Sequence, residues 1–305
     1  MRIKNLIKKT LGLGLIAAMT LTTAACGNDS GKSTAQGTET STSTEGAGNS
    51  GGVKKVKVAW QSNSYPLAYE DEQGKLTGYE IEVLKLVDEK LTDYEFEYEL
   101  AGAQDAQYAG LSAGKYDLVL SNAFYTKDRD EAYSLPKNPL GASLVGIIVK
   151  KGTEGVTDFQ SAAKAKLKLA PILAGDGLYY VVYKYNEENP DNQITLEATD
   201  SADSFMNAIS WVAEGRYEFA VWPKNYYEQL VTAEGGDLHE FASKLDFYDC
   251  RSVYTYPIIR KDEPELAEAI SGVLGTLKDE GKLSELSKQF YGYDAFQYDT
   301  VKNDE

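Results

Sequence analysis

The chain has 305 residues, a formal net charge of -16 and 26% charged residues. An acidic balance of that size argues against nucleic acid or anionic lipid as a surface partner. The sequence holds two cysteines and one histidine, and only Cys250 and His239 fall in its globular part, which leaves no material there for an intramolecular disulfide or a zinc site.

In chain order, Arg2, Lys4, Lys8 and Lys9 form a basic start, residues 11–21 are mostly apolar, and LTTAAC ends at Cys26. A basic stretch, a short apolar run and small residues before a cut predict a secretory signal over 1–25. The run is too short and interrupted to span a bilayer. A cysteine directly after Ala24 and Ala25 resembles the lipobox of bacterial lipoproteins, which implies cleavage before Cys26 and a lipid on its thiol. A plain secretory signal with an incidental cysteine is the alternative. Removing four basic residues and no acidic one from a charge of -16 leaves -20. Residues 27–52 contain seven Gly, five Ser and five Thr, and no aromatic, Val, Ile or Leu. Such a segment cannot bury a core and is expected to be a disordered tether spanning roughly 30 Å. The expected location is extracytoplasmic, with the chain anchored to the cell membrane by lipid at Cys26.

The remainder alternates strands with helices. Residues 53–60 alternate and are β-branched, which predicts a strand. In 79–91, Ile81, Leu84, Val87 and Leu91 recur at helical spacing. Strands are expected at 95–100, 117–122 and 144–150, with a short helix over 104–113. A second series follows: strand 166–173, helix 177–189, strand 194–199, helix 201–215, strand 217–222. The chain ends in a strand at 252–260 and helices at 263–280 and 282–290. Two similar βαβ series predict two open α/β lobes. Ligands of open α/β sheets sit beyond the carboxyl ends of strands, near helix N-termini. The informative loops are then 61–66, 121–129, 174–178 and 222–225.

These pieces, in this order, resemble the polar amino-acid solute-binding proteins of ABC importers. The matching segments are WQSNSYPLAYEDEQGKLTGYEIEVLKLVDEKL, LSAGKYDLVLSNAFYTKDRDEAYSLP, AEGRYEFAVW and LKDEGKLSELSKQFYG. KLTDYEFEYE and the pair Ser121–Asn122 resemble the branch that takes up cystine and related sulfur amino acids. The resemblance implies a type II periplasmic-binding-protein fold, two open α/β lobes joined by a hinge. Lobe 1 would hold 53–147 plus 253–305 and lobe 2 148–252, with crossings near 148–151 and 248–252. It implies no cofactor. The implied partners are a small amino-acid-like ligand, an ABC permease and the membrane lipid at Cys26, with the chain itself a monomer.

Arg129 stands where the family keeps an arginine that clamps the ligand's α-carboxylate, a task suited to a planar guanidinium fork. Its sequence neighbours alone favour a solvated side chain paired with Asp128, Asp130 or Glu131; the resemblance favours the clamp. Ser121 and Asn122 end a buried-type strand, where they either meet the ligand or cap a turn. Ser64, Tyr65 and Phe124 are candidate cleft-wall groups, as is Trp60, whose place at a strand end equally fits the core. Glu80 reads as a first-turn helix acid rather than a ligand group. The second lobe departs from the family pattern. Asp176 takes the place of a usual Thr, where it either caps a helix or meets the ligand's ammonium. Pro223, after Trp222, takes the place of a usual Asp. Trp222 and Asp176 are the second-lobe candidates. The rival functions are a lyase or hydro-lyase on the same fold and a ligand-sensing domain. No phosphate loop, metal set or Ser-His pairing favours the enzyme.

Overall fold

The computed structural model describes residues 52–61, 64–298 and 300–301. The signal, Cys26 and the tether through Gly51 lie outside them. In the first lobe, β1 (Lys54–Trp60) is followed by the short ladder of β2 (Tyr69–Glu70) and β3 (Leu76–Thr77), then α1 (Tyr79–Lys90), β4 (Tyr94–Leu100), α2 (Gln104–Ser112), β5 (Leu118–Phe124) and α3 (Lys127–Ala132). Strand β6 (Gly141–Lys150) leads into the second lobe, with α4 (Phe159–Lys164), β7 (Ile172–Leu173), α5 (Gly177–Glu188), β8 (Ala198–Thr199), α6 (Ser204–Glu214), β9 (Phe219–Pro223) and α7 (Lys224–Tyr227). Strand β10 (Leu245–Ile259) returns to the first lobe, where α8 (Pro264–Asp279), α9 (Lys282–Tyr291) and β11 (Thr300–Val301) complete the chain.

One sheet runs through both lobes in the order β4-β1-β5-β10-β6-β9. β1 pairs parallel with β4 and β5, while β10 runs antiparallel to β5 at one end and to β6 along its length. Each lobe has its own apolar core. The first joins Val56, Ile81, Leu84 and Leu118 to Leu266, Ile270 and Leu274 of α8. The second gathers Val181 and Val182 of α5 around Val145, Ile147 and Val149 of β6, the strand that crosses from one lobe to the other. Burying such side chains contributes about 1.5–3 kcal/mol each. The long β6–β10 pair is the covalent and hydrogen-bonded bridge between them. Its register shifts between Asp249 and Arg251, so Cys250 bulges out of the ladder opposite Val145 and Gly146. A bulge bends and twists its strand locally.

Two predicted strands shrink. Residues 166–173 and 194–199 pair only as the two-residue ladder β7–β8. Leu169 instead bridges Phe219 of β9, and Ala170 N–H donates to the Phe219 carbonyl at 2.9 Å. Pro171, which has no N–H for a ladder, stands where the chain changes partner. The last strand grows in the other direction. β10 starts at Leu245 rather than Ser252 because β6 supplies pairing along its full length, polar residues notwithstanding.

Candidate functional site

Strand β5 ends in an irregular turn. Asn122 has φ of 50°, the left-handed region that Asn tolerates better than most residues. Its N–H donates to Oε1 of Glu80 at 3.0 Å. Its amide nitrogen donates to Ser143 Oγ at 2.9 Å, and that hydroxyl donates back to Asn122 Oδ1 at 3.1 Å. Thr126 then caps α3 by accepting from the Arg129 N–H at 3.2 Å, which fixes the arginine one turn into the helix. Arg129 Nη1 donates to the Phe124 carbonyl at 2.8 Å. Among the described residues Arg129 makes no ion pair; Lys127 pairs with Glu131 instead. Arg129 lines a cavity of about 390 Å³ between the lobes.

From the second lobe, Asp176 caps α5, with Oδ1 accepting from the Leu178 N–H at 2.7 Å. Burial pushes its carboxyl up, against the Leu178 hydrogen bond and the Arg129 charge, which pull it down. Arg129 and Asp176 therefore share one electrostatic environment at the edge of the same cavity. Its floor is apolar. Trp222 is fully buried and stacks on Phe205 at 4.2 Å between ring centres, with planes 6° apart. Tyr226 meets Phe205 edge-on at 5.8 Å. Burial, with Glu80 and Asp176 nearby, holds the Tyr226 phenol up at about 12, so it remains a neutral donor. The arrangement offers a cation for a carboxylate, an anion for an ammonium, and rings for an apolar side chain.

Of the residues singled out in the sequence, Ser121, Asn122, Phe124, Arg129, Asp176 and Trp222 line this cavity. Ser121 is engaged there by the Tyr108 hydroxyl at 3.2 Å. Phe124 also packs into the second-lobe core and against Gly177. Trp60, Ser64 and Tyr65 are not in the cavity wall. Trp60 is in the first-lobe core because β1 is an interior strand with both faces covered. Ser64 bridges Ala68 in a turn that folds the loop back on itself. That turn sets Tyr65, half exposed, against Tyr69 at 4.9 Å, beside a separate cavity of about 180 Å³ with Asn225 and Tyr291. Sequence reasoning passed over Ser204 and Phe205 at the start of α6, which line the main cavity; the signal available was their place at a helix N-terminus after a strand. Glu80, read from the sequence as a first-turn helix acid, does stand in the first turn of α1, but it is buried there at 1% exposure.

A depression of about 420 Å³ beside Lys224 is a poorer candidate, because its cation is spent in a 2.9 Å ion pair with Asp249. Among the described residues no group of three His, Cys, Asp or Glu is placed to hold a metal ion.

The family model of the bacterial extracellular solute-binding proteins, family 3, matches residues 56–293. The chain belongs to this family. Among relatives of this solute-binding protein, the probable amino-acid-binding protein YxeM of Bacillus subtilis (strain 168) is 23% identical over 244 residues, covering 78% of this chain and 84% of the relative. The L-cystine-binding protein TcyA of the same organism is 24% identical over 241 residues, covering 78% and 82%. A solved structure from work on glutathione import via GshT and the cystine ABC importer TcyBC of Streptococcus mutans is 25% identical, with a TM-score of 0.55 over 82% of this chain and 98% of that one. The unliganded open L-cystine solute receptor of Neisseria gonorrhoeae shares the fold at a TM-score of 0.51 and 22% identity, over 80% and 95%. The cavity carries a basic group, Arg129, and an acidic one, Asp176, over aromatic side chains, a lining that suits a small polar ligand.

Proposed function

We propose that this solute-binding protein captures a small zwitterionic amino acid or derivative, cystine-like compounds first, and hands it to the permease of an ABC importer. The observation that carries the reading is that Arg129, which makes no ion pair among the described residues, and Asp176 line one cavity with aromatic walls and feel each other's charge. Arg129 takes the ligand carboxylate in a bidentate grip, and Asp176 takes the ammonium, the task left open by Pro223. Ser121, Asn122, Phe124 and Trp222 complete the wall. The relatives named for amino-acid and L-cystine binding support this ligand class. Lobe 1 is 53–147 plus 253–305 and lobe 2 is 148–252; the β6–β10 bridge with its bulge at Cys250 is the hinge. Ligand drives closure because it contacts both lobes only in the closed form. The protein acts as a monomer, performs no covalent chemistry, and is held outside the cytoplasm by lipid at Cys26.

The test is mass spectrometry of any ligand that copurifies, followed by calorimetry with L-cystine, glutathione and single amino acids. Small-angle scattering with the ligand should show compaction. A bound ligand without compaction would reject the hinge, and conversion of that ligand on prolonged incubation would move the protein to the enzyme class.

A further inference from the structure

Glu80 lies in the first turn of α1, where an exposed acid would already satisfy the helix dipole. Glu82 in the same turn is partly exposed and is paired with Thr77 and Lys85. Glu80 is instead buried, and its carboxylate accepts the Asn122 N–H at 3.0 Å. The ionisable groups around it are three tyrosines, one on each packed helix: Tyr79 on α1, Tyr226 on α7 and Tyr291 on α9. Among the described residues no cation offsets its charge. Burying an uncompensated carboxylate is costly, so its hydrogen bond to the Asn122 peptide matters.

That peptide begins the part of β5 that borders the cavity. A left-handed φ is unfavourable for a residue with a side chain, and two contacts offset it here. One is the Glu80 carboxylate on the peptide N–H; the other is the reciprocal pair between the Asn122 amide and Ser143 of β6. Two residues on, the Phe124 carbonyl receives Arg129 Nη1. Displacing the Asn122 turn therefore displaces the acceptor that orients the guanidinium.

We propose that Glu80 is a positioning residue for ligand capture, its carboxylate fixing the left-handed turn at Asn122 and through it the cavity edge formed by Asn122, Phe124 and Arg129. The inference rests on reading this cavity as the ligand site. An ionised carboxylate holds an N–H more firmly than a protonated one, a difference corresponding to about tenfold in an equilibrium constant. Burial lifts Glu80 to about 7, so the turn is firm above neutrality and loose below it. Ligand capture favours the ionised form, so affinity rises with pH through about 7 and levels off above it. Fold stability moves the other way. A carboxyl raised from 4.5 to about 7 on folding contributes stability below its unfolded value, and that contribution is lost as pH rises through the folded value.

The experiment measures L-cystine binding by the mature chain on both sides of neutrality, for wild type, Glu80→Gln and Glu80→Asp, with melting temperature and the Asn122 amide NMR shift followed in parallel. The wild type should bind about tenfold more weakly on the acid side, with the Asn122 amide titrating near 7 in the absence of ligand. Glu80→Gln should bind more weakly at neutral pH and lose both pH slopes. Glu80→Asp, one methylene shorter, should weaken binding and keep a slope. A Glu80→Gln variant with wild-type affinity and slope would overturn the assignment, as would an Asn122 amide that does not titrate if the variant fails to fold. Failure of every form to bind L-cystine, glutathione or any single amino acid at any pH, with the amide still titrating, would overturn the ligand-site reading and the positioning role with it.

Discussion

Replacing Arg129 by Ala removes a guanidinium whose chain contacts are slight and whose ligand contacts are expected to be large. Among the described residues it donates one side-chain hydrogen bond, from Nη1 to the Phe124 carbonyl at 2.8 Å, and it makes no ion pair, though its charge is felt by Asp176. Losing that bond costs about 1 kcal/mol of stability, or about 2–4 °C in melting temperature for a domain of this size. Binding should suffer more. Losing a bidentate, charge-assisted contact with a desolvated carboxylate costs about 2–5 kcal/mol, a loss of roughly 30-fold to several thousand-fold in affinity. Arg129→Lys keeps the charge but not the planar fork, and should recover part of the loss. Calorimetry with the copurified ligand gives the affinities, and differential scanning calorimetry gives the stability. An Arg129→Ala variant that binds with unchanged affinity would refute the clamp. A fall in melting temperature well beyond that range would show that the side chain serves the fold instead.

Gly177→Ala places a Cβ 2.6 Å from the Phe124 Cβ. Overpacking of this kind costs about 1–3 kcal/mol, and it falls where α5 of one lobe meets β5 of the other. The expected result is roughly 5- to 150-fold weaker ligand binding with secondary structure intact by circular dichroism, and undiminished affinity would show that the lobes part there freely. Burial raises the Cys250 thiol to about 12, so it should resist alkylation near pH 8 in the native chain and react once guanidinium unfolds it; fast native labelling would place the bulge in solvent. Cys26→Ser should abolish incorporation of a fatty-acid analogue in a bacterial host and release the protein from membranes, and equal labelling of both forms would reject the anchor.

Periodicity in the sequence determined most of the elements. Ile81, Leu84 and Val87 repeat at helical spacing and are fully buried in α1. The buried-type strand expected at 117–122 forms as β5, Leu118–Phe124. These are local consequences of which face must leave water, and they are legible without a fold. The motif around β5 likewise brought Ser121, Asn122, Phe124 and Arg129 to one place, because a short turn and a Thr cap fix their relative positions within a few residues. Contacts distant in sequence were not legible. Glu80 and Asn122 are 42 residues apart, and no local pattern separates a buried acid from a solvated one in a first helical turn. Trp60 and Tyr65 are five positions apart, yet the interior place of β1 buries one and a reversing turn exposes the other. The partner change at Pro171 and the reach of β10 depended on which strand lay alongside. Strand pairing draws its hydrogen bonds from the neighbouring backbone, and burial depends on everything packed around a side chain. Both are properties of the assembled fold, so tertiary structure alone decided them.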